Sequence, residues 1–389
     1  MRQALVIGGG PAGLMSAEAL SAAGLAVTVA EKMPTMGRKV LMAGKSGLNL
    51  TKEEARDAFV AAFRADWLRA PLQAFGPSEV RAWTEALGIS TFAGSTGRVF
   101  PVGMKASPLL RAWLARLDAA GVALRTRWDW QGWADGGDAL FATPGGLQRV
   151  AADVTVLALG GASWPRLGSD GGWVRHVGPV APFRPANCGF HVAWSHHMAT
   201  HFGAPVKAVV LRAGAEESRG EIVLSRDGIE GGGIYALAHL LRDGVALRLD
   251  LLPNHTQADV AARLAGGKAG ESLSNRLRKA LRLDAAKRAL VQECARPLPD
   301  DPQALAALLK DLPVPLGGPM DMARAISCAG GLRADALDAG LMLTARPGVF
   351  AAGEMLDWEA PTGGYLLTGC MATGLWAGRH AAAYGQSAG

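Results

Sequence analysis

The order of apolar and polar positions predicts an alternation of strands and helices at both ends of the chain. "QALVIGGG" is an unbroken apolar run of strand length that ends in glycine, the pattern of a strand buried on both faces. In "PAGLMSAEALSAAG", Pro11 suits a first helical turn and Gly24 stands just past the last turn, so a helix is expected between them. "LAVTVAE" predicts a second buried strand that ends at Glu31. Further on, Ser107 and Pro108 can start a helix that runs to Gly121 before a strand in "VALRTRWDW". "ADVTVLALGGASWP" holds another buried strand, closed by Gly160 and Gly161, and Val349 to Ala352 form one more. A helix from Thr368 to Tyr384 follows a Thr/Gly-rich loop.

Between Gly160 and the "AGG" at 329–331 the pattern changes. "NCGFHVAW", "APVKAVVLRAG", "GEIVLS" and "VALRLDLLP" read as short strands of a small barrel or layered sheet. "TQADVAARLAG", "ESLSNRLRKALRL", "DAAKRALVQECA" and "DPQALAALLKDL" read as amphipathic helices separated by Gly, Pro or Asp. The expected fold is α/β: a Rossmann-like nucleotide domain over 1–180 and 328–389, with an inserted β-barrel-like domain over 181–252 and 313–327 that carries a helical subdomain over 253–312. An insert of this kind commonly supplies a lid or one wall of a substrate cleft.

Composition narrows the class. With 389 residues the chain should bury about three quarters of its unfolded surface and needs no covalent staples. Cys188, Cys294, Cys328 and Cys370 are far apart and form no CxxC pair, which excludes a zinc knuckle and a redox dithiol and fits a reducing cytoplasm. The net charge of +6 comes from 40 basic and 34 acidic residues without a long basic run, so it implies mild anion affinity. Glycines and Glu18 interrupt the apolar start, unlike a signal peptide, and no apolar run of about 18 residues free of charge or glycine occurs elsewhere.

Gly8, Gly10 and Gly13 fall on the expected turn from strand to helix. A pyrophosphate there would meet backbone N–H groups and the positive end of the helix dipole; Gly10 would admit it, and Gly13 would let helix and strand pack closely. Glu31 lies 18 positions beyond Gly13 and could accept hydrogen bonds from ribose hydroxyls, which favours FAD or NAD over NADP. The next segment, "GRKVLMAGKSGLNLT", reads either as a solvated basic loop or as a wrap around a phosphate-bearing ligand through Arg38 and Lys39. At the far end, Glu354 could hold a ribityl hydroxyl, and the following helix could aim its N-terminus at a flavin pyrimidine. NAD needs neither device. The plain alternative for Glu354 is an exposed loop acid.

The set "VIGGGPAGLMSAEAL", "GRK" with "LNLT", "GRVFP" with "KAS", "LALGGAS", "AISCAGGL" and "FAAGEMLDWEAPTGGY" resembles the bacterial BaiN/YhiN-like flavoproteins along almost the whole chain, in order. That resemblance implies a glutathione-reductase-like FAD-binding domain with a barrel-plus-helices insert; because no Cys or His except Cys370 lies in the cofactor motifs, the FAD is expected to bind non-covalently. It implies cofactor contacts for Gly8, Gly10, Gly13, Glu31, Arg38, Lys39, Gly160, Gly161, Gly353, Glu354, Gly363, Gly364 and Tyr365. Pro11, Ala12, Lys32, Asn49 and Trp128 complete the candidate cofactor set. Where many relatives carry a Gly-Gly-Arg-Cys-Asn-type loop this chain has "AGKSGLN", so only Asn49 and Thr51 correspond there, and the substrate can differ.

The resemblance implies an FAD-dependent oxidoreductase that moves hydride between flavin N5 and an organic substrate, with reduction of an activated C=C bond as the leading chemistry. Tyr365 and Ser107 are candidates to polarise a carbonyl or protonate carbon. With no second GxGxxG domain, NAD(P)H would dock transiently as donor. Two other classes stay open: a flavin-dependent RNA-modifying or RNA-binding protein, on the basic stretch Arg276, Arg278, Lys279, Arg282, Lys287 and Arg288, and a non-catalytic flavin redox sensor. No aromatic interleaves with those charges, which argues for a solvated helix face over nucleic acid. "SHHMATH" spaces His197 and His201 four apart but has no acid nearby, so no metal is expected there.

Overall fold

The computed structural model describes residues 1–266 and 271–387, and the short stretches 267–270 and 388–389 of the expected helical and nucleotide domains lie outside them. The chain divides into two compact units, Met1–Arg184 with Ser327–Gly389, and Pro185–Ile326.

The first unit is built on a five-stranded parallel sheet. Its strands are β1 (Gln3–Ile7), β2 (Ala26–Glu31), β3 (Ala123–Thr126), β4 (Val154–Leu157) and β5 (Val349–Ala351), in spatial order β5-β4-β1-β2-β3. All four residues of β4 and the last four of β1 are buried, as expected of central strands covered on both faces. Helix α1 (Pro11–Ala22) and the terminal helix Tyr365–Ser387 lie close together. A Cβ at Gly374 would collide with the Ala12 carbonyl, and one at Gly378 would stand 2.8 Å from the Ser16 carbonyl, so small residues set this approach. Ser16 Oγ seals it by donating to the Gly374 carbonyl at 2.8 Å. Glu18, the one acid within the apolar start, accepts from Trp113 Nε1 (2.9 Å) and Arg116 Nη1 (3.0 Å), which makes a charge on α1 tolerable.

Several features of this unit escape the hydrophobic pattern. An antiparallel sheet of Asp129–Trp133, Ala139–Thr143 and Gly146–Val150 fills the stretch after β3, so "VALRTRWDW" is two strands broken at Arg127, whose φ is +60°. A second small sheet joins Thr51–Lys52, Arg98–Pro101 and Thr91–Ala93. The terminal helix begins at Tyr365, three residues before Thr368.

The second unit is a six-stranded antiparallel sheet in the order Phe190–His191, Gly228–Glu230, Glu216–Ser225, Pro205–Ala213, Leu247–Asp250, Leu312–Val314. The helices Gln257–Ala265, Leu273–Ala280, Ala285–Cys294 and Pro302–Lys310 start at Thr256, Ser272, Asp284 and Asp301, whose side chains each accept a backbone N–H of the first turn. Their buried leucines share one core with the sheet. A further helix, Gly232–Arg242, begins in a Gly-Gly-Gly run. "SHHMATH" forms a 3-10 helix, His196–His201, with the rings of His196 and His197 3.8 Å apart.

Candidate cofactor site and adjoining cavity

The glycine turn leaves β1 and enters α1. Gly8 has φ +115°, and a Cβ there would collide with the Ala158 carbonyl beyond β4. A Cβ at Gly13 would collide with the Gly8 carbonyl. Gly10 differs from both: its φ is −85°, and a Cβ there meets nothing within 4 Å. Two glycines are therefore required by the protein's own packing, whereas the third faces open space at the start of α1, where Pro11 opens the first turn and Ala12 is buried.

Glu31 closes β2 beside that turn. Its Oε2 accepts the Gly9 N–H and its Oε1 the Met33 N–H, each at 2.8 Å, leaving further lone pairs on both oxygens. Burial pushes its carboxyl above the usual range, and those two N–H groups pull it part of the way back. The Trp128 N–H donates to the Glu31 carbonyl at 2.9 Å, and the Trp128 ring lies tilted against Phe141. Lys32 Nζ pairs with Asp170 at 2.7 Å.

A second polar cluster joins distant segments. Lys39 Nζ pairs with Glu354 Oε2 at 2.5 Å and donates to Ser163 Oγ at 3.1 Å and Ser169 Oγ at 3.4 Å. The Cys328 N–H donates to Glu354 Oε1 at 3.3 Å. Gly161 abuts this cluster, since a Cβ there would collide with Cys328 Sγ. The Gly160 carbonyl accepts from Trp173 Nε1 at 2.8 Å, and the Gly353 N–H donates to Thr373 Oγ1 at 3.0 Å. Burial pushes the Cys328 and Cys370 thiols up to about 12, which favours the protonated form of both at neutral pH.

Tyr365 belongs to a separate group. Its hydroxyl donates to Glu54 Oε1 at 2.5 Å and accepts from Lys52 Nζ at 3.0 Å, and its ring stacks on Phe59. Burial and the Glu54 carboxylate raise it to about 12. Its proton is thus committed within the protein. A Cβ at Gly364 would collide with the Thr51 backbone, and one at Gly363 would lie 3.1 Å from Arg98 Nε. Ser107 is exposed in the first turn of the helix Ala106–Ala119.

Three buried polar atoms in the segment after Glu31 have no hydrogen-bond partner in the protein: Arg38 Nε, Asn49 Oδ1 and Thr51 Oγ1. Buried polar atoms of this kind call for a partner from outside the protein, a water, an ion or a ligand's polar group. Together with the open space at Gly10, they fit a long phosphate-bearing cofactor.

Beside the Glu354 cluster lies a cavity of about 420 Å³. Arg64, Arg184, Gly330, Asp357, Trp358 and Glu359 are among its walls. It shares segments with the cluster: Ala329 in its wall follows Cys328, and Trp358 Nε1 donates to the Gly353 carbonyl at 2.8 Å. Hydrophobic periodicity could not single out Asp357, Asp170 or Cys328, whose partners are remote in the chain. The signal available for Asp357 was its place three residues after Glu354 at a strand end.

A parallel sheet with a glycine turn at its centre and an acid-tipped second strand, beside a cradle of unpaired polar groups, defines a dinucleotide-binding protein of the Rossmann type. The chain belongs to the HI0933-like Rossmann-domain family, whose model matches residues 2–380. It is 26% identical over 422 aligned positions to a 3-dehydro-bile acid delta(4,6)-reductase of Clostridium scindens, covering 97% of this chain and 98% of that protein. Among solved structures, the Escherichia coli quinol fumarate reductase FrdA aligns with a TM-score of 0.52 at 15% identity, over 100% of this chain and 72% of that one. The 3-ketosteroid delta1-dehydrogenase of Sterolibacterium denitrificans aligns with a TM-score of 0.50 at 14% identity, over 98% and 100% of the two chains. At these identities the structural likeness speaks for the fold. Among the described residues, no helix is long and apolar enough to cross a membrane.

Proposed function

We propose that the protein reduces an activated carbon–carbon double bond in a steroid-like enone, drawing its electrons from NAD(P)H. The observation that carries this reading is the cavity of about 420 Å³ whose walls continue the segments of the Glu354 cluster, in a chain similar from end to end to a bile acid reductase. Bound FAD would supply the hydride. Around it, Gly10 admits the pyrophosphate to the start of α1, and Glu31 accepts from the adenosine ribose. Arg38, Asn49 and Thr51 find partners in the cofactor's polar groups. Lys39 neutralises Glu354, so that this carboxylate can stay half-buried and accept a ribityl hydroxyl. A transiently docked nicotinamide needs no second nucleotide fold.

The test is anaerobic stopped-flow absorbance. NADH or NADPH should bleach the flavin band, and a 4-en-3-one steroid added to the reduced enzyme should restore it with formation of the saturated ketone. A flavin that stays reduced in the presence of such enones would overturn the proposal.

A further inference from the structure

The cavity carries a pair of carboxylates, Asp357 and Glu359, on the same short segment as Glu354. Asp357 is held firmly: its backbone N–H donates to the Leu332 carbonyl at 2.9 Å, and its carboxylate accepts the Gly330 N–H. Gly330 has φ +88°, and a Cβ there would collide with the Pro182 carbonyl, so this wall keeps its shape. The charged groups facing Asp357 are Glu359 from its own segment, Arg184 from the strand Val180–Ala186, and Arg333 from the segment after Gly330, with Arg64 also in the cavity wall.

From this placement, and on the reading of the protein as an enone reductase, we propose that Asp357 is the proton donor of the cavity. The protonated carboxyl hydrogen-bonds the carbonyl oxygen of the bound enone. Bound reduced flavin would supply the hydride that forms the new C–H bond at the β-carbon, and the C=C electron pair would then shift to the α-carbon–carbonyl-carbon bond. The C=O π pair moves onto oxygen, which takes the Asp357 proton. The enol tautomerises to the saturated ketone, and Asp357 regains its proton from solvent. The substrate gains one hydride and one proton, and the two electrons come from the cofactor.

Burial pushes the Asp357 carboxyl above its usual range and Glu359 adds to this, whereas the Gly330 N–H, Arg184 and Arg333 oppose it. A neutral ligand that displaces water from the cavity strengthens the burial effect and favours the protonated donor further.

The experiment measures binding and chemistry separately. Calorimetric titration of holoenzyme with 4-androstene-3,17-dione across acid to neutral pH should show affinity falling as pH rises. Asp357→Asn, which keeps a hydrogen-bond donor at every pH, should bind with a flat profile, and Asp357→Ala should bind weakly throughout. In the reduced enzyme, Asp357→Asn should slow reoxidation by the enone on the order of 100-fold or more at unchanged binding. The same falling pH profile in Asp357→Asn as in wild type would overturn the proposal, as would wild-type reoxidation by that variant. A wild type that binds the enone with the expected profile yet never reoxidises would instead refute the reductase reading alone.

Discussion

Replacing Gly10 with alanine separates the protein's needs from the cofactor's. Gly10 sits at the N-cap of α1 with φ −85° and ψ −176°, extended backbone that alanine adopts readily, and the new methyl meets no protein atom within 4 Å. Alanine is a poorer N-cap than glycine, so the variant should lose about 0.5–1 kcal/mol, a fall in melting temperature of about 1–4 °C. On the proposed reading, the methyl would occupy the space through which a pyrophosphate reaches the first-turn N–H groups. Losing one hydrogen bond to a charged oxygen costs about 1.5–3 kcal/mol, so FAD affinity should fall roughly 10- to 150-fold. Titration of apo-protein with FAD, followed by flavin fluorescence, reads the affinity, and a melting curve of the same apo-protein reads the fold. Gly10→Val should abolish FAD binding altogether, whereas Gly13→Ala, which collides with the Gly8 carbonyl, should unfold the turn with or without cofactor. The reasoning fails if Gly10→Ala binds FAD within twofold of wild type, or if its apo-protein melts as low as Gly13→Ala.

Glu354→Ala leaves Lys39 without its carboxylate and should weaken FAD binding about 10- to 100-fold, whereas Glu359→Ala should bind FAD nearly as wild type; equal effects in the two would place the wrong acid at the cofactor. Because burial raises the Glu31 carboxyl, its contribution to stability is present at acid pH and is lost as pH rises through the raised value. Apo Glu31→Gln should therefore gain on wild type in melting temperature as pH rises toward neutrality, and a constant or inverted difference would contradict this. Tyr365→Phe should cost about 1 kcal/mol of stability and leave turnover within severalfold of wild type, since the phenol serves Glu54 and Lys52; loss of turnover with FAD retained would make Tyr365 the acid instead.

The nucleotide half was legible because its signals are local. β1, α1 and β2 follow one another within 31 residues, and each is marked by a predominantly apolar run or by Pro and Gly at its ends. The sheet from Asp129 to Val150 was hidden because Trp130, Trp133 and charged residues alternate around the Gly136–Gly137 turn, and Gly146–Val150 is mostly exposed. The helix Gly232–Arg242 was hidden by its glycine start, where propensity argues against a helix that burial of Ile234, Leu237 and Leu241 then stabilises. In the candidate site, Lys39 stood out by the composition of its segment and Glu354 by its place after a buried strand. Their pairing across 315 positions did not, because only the fold brings β5 to the segment after β2. Asp357 went unnoticed for the same reason: its meaning comes from Gly330 and Arg184, which sequence spacing cannot bring near it.

The identity of the bound flavin tests the cradle most directly. Acid precipitation of the purified yellow protein, followed by chromatography of the supernatant, should release FAD at close to one per chain, with no colour left in the pellet. Recovery of FMN would contradict the assignment of Gly10 and Glu31 to a pyrophosphate and an adenosine ribose. Colour that stays with the pellet would contradict non-covalent binding.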